Sequence, residues 1–470
     1  MKALFNLNRK NIFLGSLIFL MMTCQYSLAQ TIWQGQHHSY RIVLSGNLDR
    51  YQTDSLSVSI PELEINKKVV TVIKEDSISF KNEMYGFSFK GKFNPEKNAI
   101  SGIFNYYSIP NTAVVLKKEK EIQPLYFAQH PKKPYPYQVI DMTFLGKSTK
   151  LTYGATLTIP KDKKKYPLAI LISGTGQHDR NYTYMGREFF TVLADELARK
   201  GIASLRVDDR GIGKTSGNFK NATTGDFADD VDAQIAYLKS DKNIDASHIG
   251  LIGHSEGGMI ASIVSARNKN VKFMVSLSGV AVSGLEMLNL QNTSILKNYG
   301  FTDKVVNKQM EMYNIMFKAV YDTKPTDSVT PVLQLKLDQW MKTQDSTTLK
   351  EIHMWGGREK DFIYRYGKDA ERKWYRYTIH YNPKDYLPKI EIPVLALNGD
   401  KDIQVPAQEN LESFKKYIKI SDVTTKIYPG LNHMYQHCTL CTGAEVKDLD
   451  EVFAQEVLDD IAKWILSRYK

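Results

Sequence analysis

From Leu168 onward, short apolar runs of strand length alternate with segments whose apolar residues recur at helical spacing. Leu168–Ile172, Ala203–Val207, Ile249–Ile252, Phe273–Leu277, Val394–Leu397 and Thr424–Tyr428 read as strands. Between and after them, Phe189–Lys200, Phe227–Lys239, the segment following Ser255, Gln408–Tyr417 and Leu449–Tyr469 read as helices, the first stopped by Gly201. Such alternation predicts an α/β fold, a mostly parallel sheet with helices on both faces. A β-type pair, Val139–Phe144 and Leu151–Ile159, leads into it.

The alternation pauses over 282–384, where helical spacing at Asn307–Tyr321 and Val332–Met341 adds no strand. This predicts an inserted helical cap over the C-terminal edge of the sheet. Trp340, Trp355, Trp374 and Tyr377 are expected in the core of that cap, with a substrate pocket as the second possibility.

Before the sheet the period is different. Arg41–Leu44, Ser55–Ile60, Val69–Ile73, Ser77–Phe80, Phe87–Phe93, Ile100–Tyr106 and Thr112–Leu116 are short, rich in β-branched and aromatic residues, and separated by turn formers. They predict a small all-β N-terminal domain over 30–118, as an antiparallel sheet, sandwich or barrel. Pro124, Pro131, Pro134 and Pro136 mark 119–136 as a linker, which leaves 137–470 for the α/β domain.

The chemistry is concentrated where strand 249–252 meets Gly253-His254-Ser255-Glu256-Gly257-Gly258 and then a small-residue helix. A Gly-x-Ser-x-Gly turn in that setting presents the serine hydroxyl at the tip of a sheet, so Ser255 is the candidate nucleophile and the Glu256 N–H a candidate oxyanion donor. The loop after strand 168–172, Ser173-Gly174-Thr175-Gly176-Gln177, offers the second donor from Thr175 or Gly176. A serine hydroxyl needs a base and a group that orients the base. His433, in the loop after strand 424–428, is the candidate base; Asp402, after strand 394–397, is its candidate partner, with Asp400 the rival. His178, Asp179, Arg180 and Asp208 to Gly211 are expected to brace loops.

Together ISGTGQHDRN, RVDDRGIGKTSG, ATTGDFADDVDAQIAYLK, IGLIGHSEGG, PVLALNGDKDIQVP and YPGLNHMYQH resemble the secreted bacterial α/β-hydrolases related to the EstD carboxylesterases, which overlap the serine aminopeptidase (S33-like) and dienelactone-hydrolase-like groups. DSLSVSIPELEIN and ISGIF extend the resemblance into the β-rich segment. It implies an α/β-hydrolase fold, the triad Ser255, Asp402 and His433, and hydrolysis of a small-molecule carboxylic ester through an acyl-enzyme, with no cofactor and no metal. Amide or peptide cleavage by the same triad is the first alternative, and a non-catalytic envelope-binding protein the second. The His-loop tail HCTLCTG is longer than the family pattern.

Composition adds the compartment. Lys2, Arg9 and Lys10 precede the apolar run Ile12–Met22 and Ser27-Leu28-Ala29, the layout of a signal peptide over 1–29. Export to the periplasm or beyond the cell is therefore expected, with a lipid anchor at Cys24 the weaker reading. The net charge of +11 is scattered rather than gathered into an aromatic-interleaved stripe. That argues against nucleic acid as a partner and leaves association with an anionic envelope as a weak second meaning. No later run is long enough to span a membrane. Cys438 and Cys441 are expected to pair as a local disulfide; a metal site with His433 and His437 would lack a second half.

Overall fold

The computed structural model describes residues 31–469 apart from 38–39, 47, 49–54, 64, 85, 107–108, 162–164 and 241–247. The expected signal segment 1–29, with Cys24, lies outside the described residues. The chain forms two compact units that divide between Gln123 and Pro124, except that the short segment Gln36–Tyr40 groups with the second.

The first unit is a closed antiparallel barrel of eight strands: β1 (Ile32–His37), β2 (Tyr40–Ser45), β3 (Ser55–Ile60), β4 (Ile65–Lys74), β5 (Ser77–Asn82), β6 (Phe87–Phe93), β7 (Ala99–Tyr106) and β8 (Ile109–Glu119). Along β4 the side chains of Ile65, Val69 and Thr71 are buried while Val70 and Val72 face outward, the period-two alternation of a sheet with one covered face. Phe80 and Phe89 stack inside, ring centroids 5.4 Å apart. Pairing of β1 with β8, Trp33 opposite Lys118, closes the ring and removes both sheet edges.

The second unit is built on an eight-stranded sheet. Its strands are β9 (Tyr137–Leu145), β10 (Thr152–Pro160), β11 (Pro167–Ile172), β14 (Ala203–Val207), β15 (His248–His254), β16 (Val271–Leu277), β17 (Val394–Gly399) and β18 (Val423–Tyr428), with a two-residue hairpin, β12 (Thr183–Tyr184) and β13 (Arg187–Glu188), standing apart. The spatial order is β18-β17-β16-β15-β11-β14-β10-β9. Strands β14 to β18 and β11 are mutually parallel, while β10 is antiparallel to both its neighbours. This is the α/β-hydrolase arrangement, and it brings the C-terminal ends of β11, β15, β17 and β18 to one edge.

Both faces are covered. Leu168, Ile170 and Ile172 of β11 join one core with α2 (Thr224–Ser240), α3 (Glu256–Arg267) and α10 (Ala407–Tyr417). Ala169 and Leu171 join the opposite core with α1 (Phe189–Lys200) and α11 (Gln455–Leu466). A strand buried on both sides cannot show polar alternation, which is why β11 reads as a continuous apolar run.

Between β16 and β17 the chain inserts α4 (Gly284–Asn298), α5 (Asp303–Asp322), α6 (Thr330–Met341), α7 (Ser346–Glu351), α8 (Arg358–Ala370) and α9 (Lys373–Ile379). They surround a core of their own containing Val306, Met310, Phe317, Leu333, Leu337 and Trp340. Ser283, Thr302 and Asp345 cap α4, α5 and α7 with side-chain oxygens that accept backbone N–H groups. No helix among the described residues is long and apolar enough to cross a membrane.

Two sequence expectations are corrected. The supposed linker 119–136 is only partly one: β8 reaches Glu119, and beyond Pro124 the chain packs into the second unit, with Phe127 buried. The Gln129 side chain there accepts the N–H of Val452 and Phe453 and donates to the Phe453 carbonyl at 2.6 Å. That capture also explains the second correction: the closing helix, expected from Leu449, begins only at Gln455, because backbone groups of 452–453 are satisfied by Gln129 instead.

Candidate active site

The sharpest turn in the sheet lies at Ser255, where β15 runs directly into α3. Ser255 has φ 56° and ψ −119°, a conformation that L residues avoid and that costs on the order of 1–3 kcal/mol. Glycine makes the turn possible by close approach. A Cβ on Gly253 would lie 2.1 Å from the Gly257 carbonyl oxygen, and one on Gly257 2.2 Å from that of Ile172. The Ser255 N–H donates to the Leu277 carbonyl at 2.9 Å, which ties the strained residue to the end of β16.

The loops after β17 and β18 meet. His433 and Asp402 are both buried, and His433 Nδ1 lies 2.8 Å from Asp402 Oδ2. The other oxygen of Asp402 accepts the N–H groups of Gln404 and Val405, each at 2.8 Å, so the carboxylate is held from both ends. The ring nitrogen facing a carboxylate donates to it, which leaves Nε2 of His433 free of its proton. Asp400 is turned elsewhere: its Oδ1 accepts the Gly430 N–H at 2.7 Å, pinning the two loops together.

His254, between the turn glycine and Ser255, joins the His433 loop to the serine turn. Its Nε2 lies 2.8 Å from the His433 carbonyl and its Nδ1 3.0 Å from the Tyr182 hydroxyl. A carbonyl can only accept, so Nε2 carries the proton and Nδ1 accepts from Tyr182. Burial, with the nearby His433 acting in the same sense, holds the His254 pKa well below its ordinary value and keeps the ring neutral. Tyr182 in turn takes a hydrogen bond from the Gly174 backbone, and a Cβ on Gly174 would lie 3.1 Å from Ser255 Cβ. The loop carrying Thr175 and Gly176 therefore stands beside the serine. The Thr175 carbonyl faces His178 Nε2 at 3.0 Å, so the Gly176 N–H of the same trans peptide is directed away from His178.

Two carboxyl groups flank that loop: the half-buried Asp209, among the residues expected to brace loops, and the buried Glu256, whose side chain the sequence did not single out. Asp209 accepts from Ser173 Oγ at 3.3 Å and from the His178 N–H at 2.7 Å. Glu256, the first residue of α3, accepts at Oε1 from Thr224 Oγ1 and from Trp374 Nε1, both at 2.7 Å. The only signal was an acidic residue set against apolar runs, since Trp374 lies more than a hundred positions away in sequence. Trp340 is in the cap core, where its Nε1 donates to Glu311, and Trp355 is half exposed beneath Lys350. Trp374 is thus corrected from cap core to a contact with the serine turn. The bracing expected of Asp208, Arg180 and Arg210 takes the form of ion pairs of Arg180 with Asp208 and of Arg210 with Asp230, both at 2.6 Å.

Burial pushes the Asp209 carboxyl up to about 7. In the unfolded chain an aspartate titrates near its ordinary value, so between roughly pH 4 and 7 the folded protein holds a proton that the unfolded chain has released. Stability is therefore expected to fall as pH rises through that window, by on the order of 4 kcal/mol from this residue, and to level off above it. Asp209→Asn imitates the protonated form. Urea unfolding at pH 4.5 and 7.5 is expected to show a smaller loss in the variant than in the wild type; equal losses would refute the assignment.

Cys438 and Cys441 are joined as a disulfide. Glu445 accepts the Thr439 N–H beside it, and His437 faces Glu451 rather than the sulfurs. Cys438 lies a few positions after His433, and its N–H donates to the Gly430 carbonyl at 3.2 Å, which closes the His433 loop on itself.

The family described as serine aminopeptidase, S33, matches residues 170–327. Esterase EstD of Thermotoga maritima is 23% identical over 396 residues, covering 83% of this chain and 82% of the esterase. Among solved structures, Est1E of Butyrivibrio proteoclasticus with ferulic acid bound aligns over 69% of this chain and 98% of its own, at 19% identity and TM-score 0.40. The Pyrococcus furiosus esterase Pf2001 aligns over 70% and 93%, at 16% identity and TM-score 0.41. The strand order, the serine turn at the end of β15 and the loops after β17 and β18 give this chain an α/β-hydrolase fold, and its sequence is similar to EstD over most of its length.

Proposed function

We propose that the protein is an exported serine hydrolase that cleaves carboxylic esters through an acyl-enzyme. The observation that carries the reading is the buried His433–Asp402 pair, held against the strained Ser255 turn by the His254 bond to the His433 backbone. In this scheme Ser255 Oγ attacks the ester carbonyl while His433 Nε2 takes its proton, and Asp402 stabilises the imidazolium. The N–H of Glu256, with that of Thr175 or Gly176, receives the developing oxyanion. His433 returns the proton to the departing alcohol, then deprotonates the water that releases the carboxylic acid. The signal-like first 29 residues support export.

The similarity to EstD favours esters. The S33 match favours a second reading, amide cleavage by the same groups. The discriminating experiment compares turnover of p-nitrophenyl acyl esters with that of aminoacyl anilides, alongside covalent labelling by a fluorophosphonate. Ester turnover at least ~100-fold faster, with one label per chain at Ser255, is the expected result. Faster anilide cleavage would move the assignment to the aminopeptidase reading, and no labelling with no turnover would remove the serine mechanism.

A further inference from the structure

The Glu256 backbone has a place in the scheme above; its side chain has none. That side chain is almost fully buried in the serine turn, yet it ends in a carboxyl group rather than an apolar one. Its partners come from three separate parts of the unit. Thr224 opens α2, Trp374 belongs to the cap helix α9, and the Thr175 side chain, also hydrogen-bonded to Glu256, sits in the loop that carries the second oxyanion donor. The cap end of this network is itself braced, since Thr378 Oγ1 donates to the Trp374 carbonyl at 2.9 Å and lies 3.4 Å from Thr224 Oγ1.

A carboxyl in this position is costly, and burial raises the Glu256 pKa, favouring the neutral acid. The carboxyl accepts from Thr224 and Trp374 at Oε1 and is hydrogen-bonded to the Thr175 side chain as well, so each of the three neighbours has a partner. A leucine of similar size would fill the space at less cost but would bind none of them. What the carboxyl adds is therefore registration among its neighbours rather than packing.

We propose that the Glu256 side chain is a positioning residue for hydrolysis at this site: it holds the two oxyanion donors and the cap helix α9 in one register, so that contacts made by a substrate beneath the cap are expressed in turnover. This rests on the Ser255 reading above. The acid itself touches neither substrate nor reacting atoms. It acts through the Glu256 N–H, the Thr175 loop and Trp374, and binding energy spent on such alignment appears in kcat rather than KM.

The test compares wild type, Glu256→Gln, Glu256→Leu and Trp374→Phe on p-nitrophenyl acetate and a longer acyl ester, with fluorophosphonate labelling rates and melting temperatures measured in parallel. Glutamine keeps a carbonyl for Thr224 and Trp374 and an N–H for Thr175, so its kcat is expected within about threefold of wild type. Leucine is expected to lower kcat roughly 30- to 100-fold with KM changed less than about threefold, and to slow labelling in proportion. Trp374→Phe, which loses the donor while keeping an aromatic ring, is expected to lose about tenfold in kcat on the longer ester and less on acetate. Wild-type kcat in both Glu256→Leu and Trp374→Phe would overturn the proposal, as would a loss confined to KM or one shared equally by glutamine. If leucine prevents folding, Trp374→Phe decides alone. Wild-type protein that neither labels nor turns over removes the Ser255 reading, whereas a labelled, active wild type with unaffected variants removes only the role of Glu256.

Discussion

Ser255→Ala is expected to lower kcat for ester hydrolysis by roughly 10⁵- to 10⁶-fold, to abolish fluorophosphonate labelling, and to leave the fold intact or slightly more stable. The kinetic loss follows from chemistry: without Oγ no acyl-enzyme forms, and only the oxyanion donors and substrate positioning remain. The effect on stability is expected to be small because the strain at residue 255 comes from backbone φ and ψ, which alanine must adopt as serine does. Removal of the hydroxyl deletes no bond that supports the turn, since the turn is tied through its backbone N–H to Leu277. A progress curve with stoichiometric release of p-nitrophenol, followed by steady turnover, should be seen in wild type and be absent from the variant. A variant retaining full turnover would sink the assignment of the nucleophile.

The second large effect is expected at Asp402→Asn, with kcat reduced about 10⁴-fold and the melting temperature nearly unchanged. The direction follows from the hydrogen bonds. Oδ1 of Asp402 accepts two backbone N–H groups, from Gln404 and Val405, so in the variant the amide oxygen must occupy that position. The amide NH₂ is then forced towards His433 Nδ1, which can face it only as an acceptor. The ring proton moves to Nε2, where the serine proton should be received, and the base is blocked without being moved. Asp400→Asn is the control: that residue accepts the Gly430 N–H while the imidazole faces Asp402, so kcat is expected to change less than about tenfold. Equal losses in the two variants would contradict the geometry.

The structure also accounts for how the site withstands its own strain. The serine turn is surrounded by groups that constrain one another: His254 bridges Tyr182 and the His433 carbonyl, Tyr435 donates to the Leu397 carbonyl at 2.7 Å, and Asn432 accepts the N–H groups of Met434 and Gln436. Such over-determination lets a disfavoured backbone conformation persist. It also places two carboxyls beside the serine turn and the loop after β11, the half-buried Asp209 and the buried Glu256, each with its pKa raised by desolvation.

Much of this was legible in the chain because its causes are local. Apolar runs marked β11 and β14 to β17 within a residue or two, since a doubly covered strand needs a continuous apolar run. The turn at Ser255 was visible because only glycine can stand at 253 and 257, where a Cβ would collide with backbone oxygen. Other features depend on residues far apart in sequence. Short alternating strands are equally suited to a sandwich and a barrel, and only the pairing of β1 with β8 made it a barrel. Nothing in 124–136 announced that Gln129 would reach Phe453, and that contact shortened the last helix.

For the candidate site, the division follows the same line. The sequence by itself determined the type of each group, the order Ser255, Asp402, His433, and the placement of each just after a strand, because strand ends and glycine turns are written in consecutive residues. Only the tertiary structure decided that Asp402 rather than Asp400 meets His433 and that Trp374 leaves the cap core for Glu256. Each of those outcomes turns on which side chain points where once separate loops have met, and hydrogen-bond direction across an interior is a property of the assembled fold, not of any one stretch of chain.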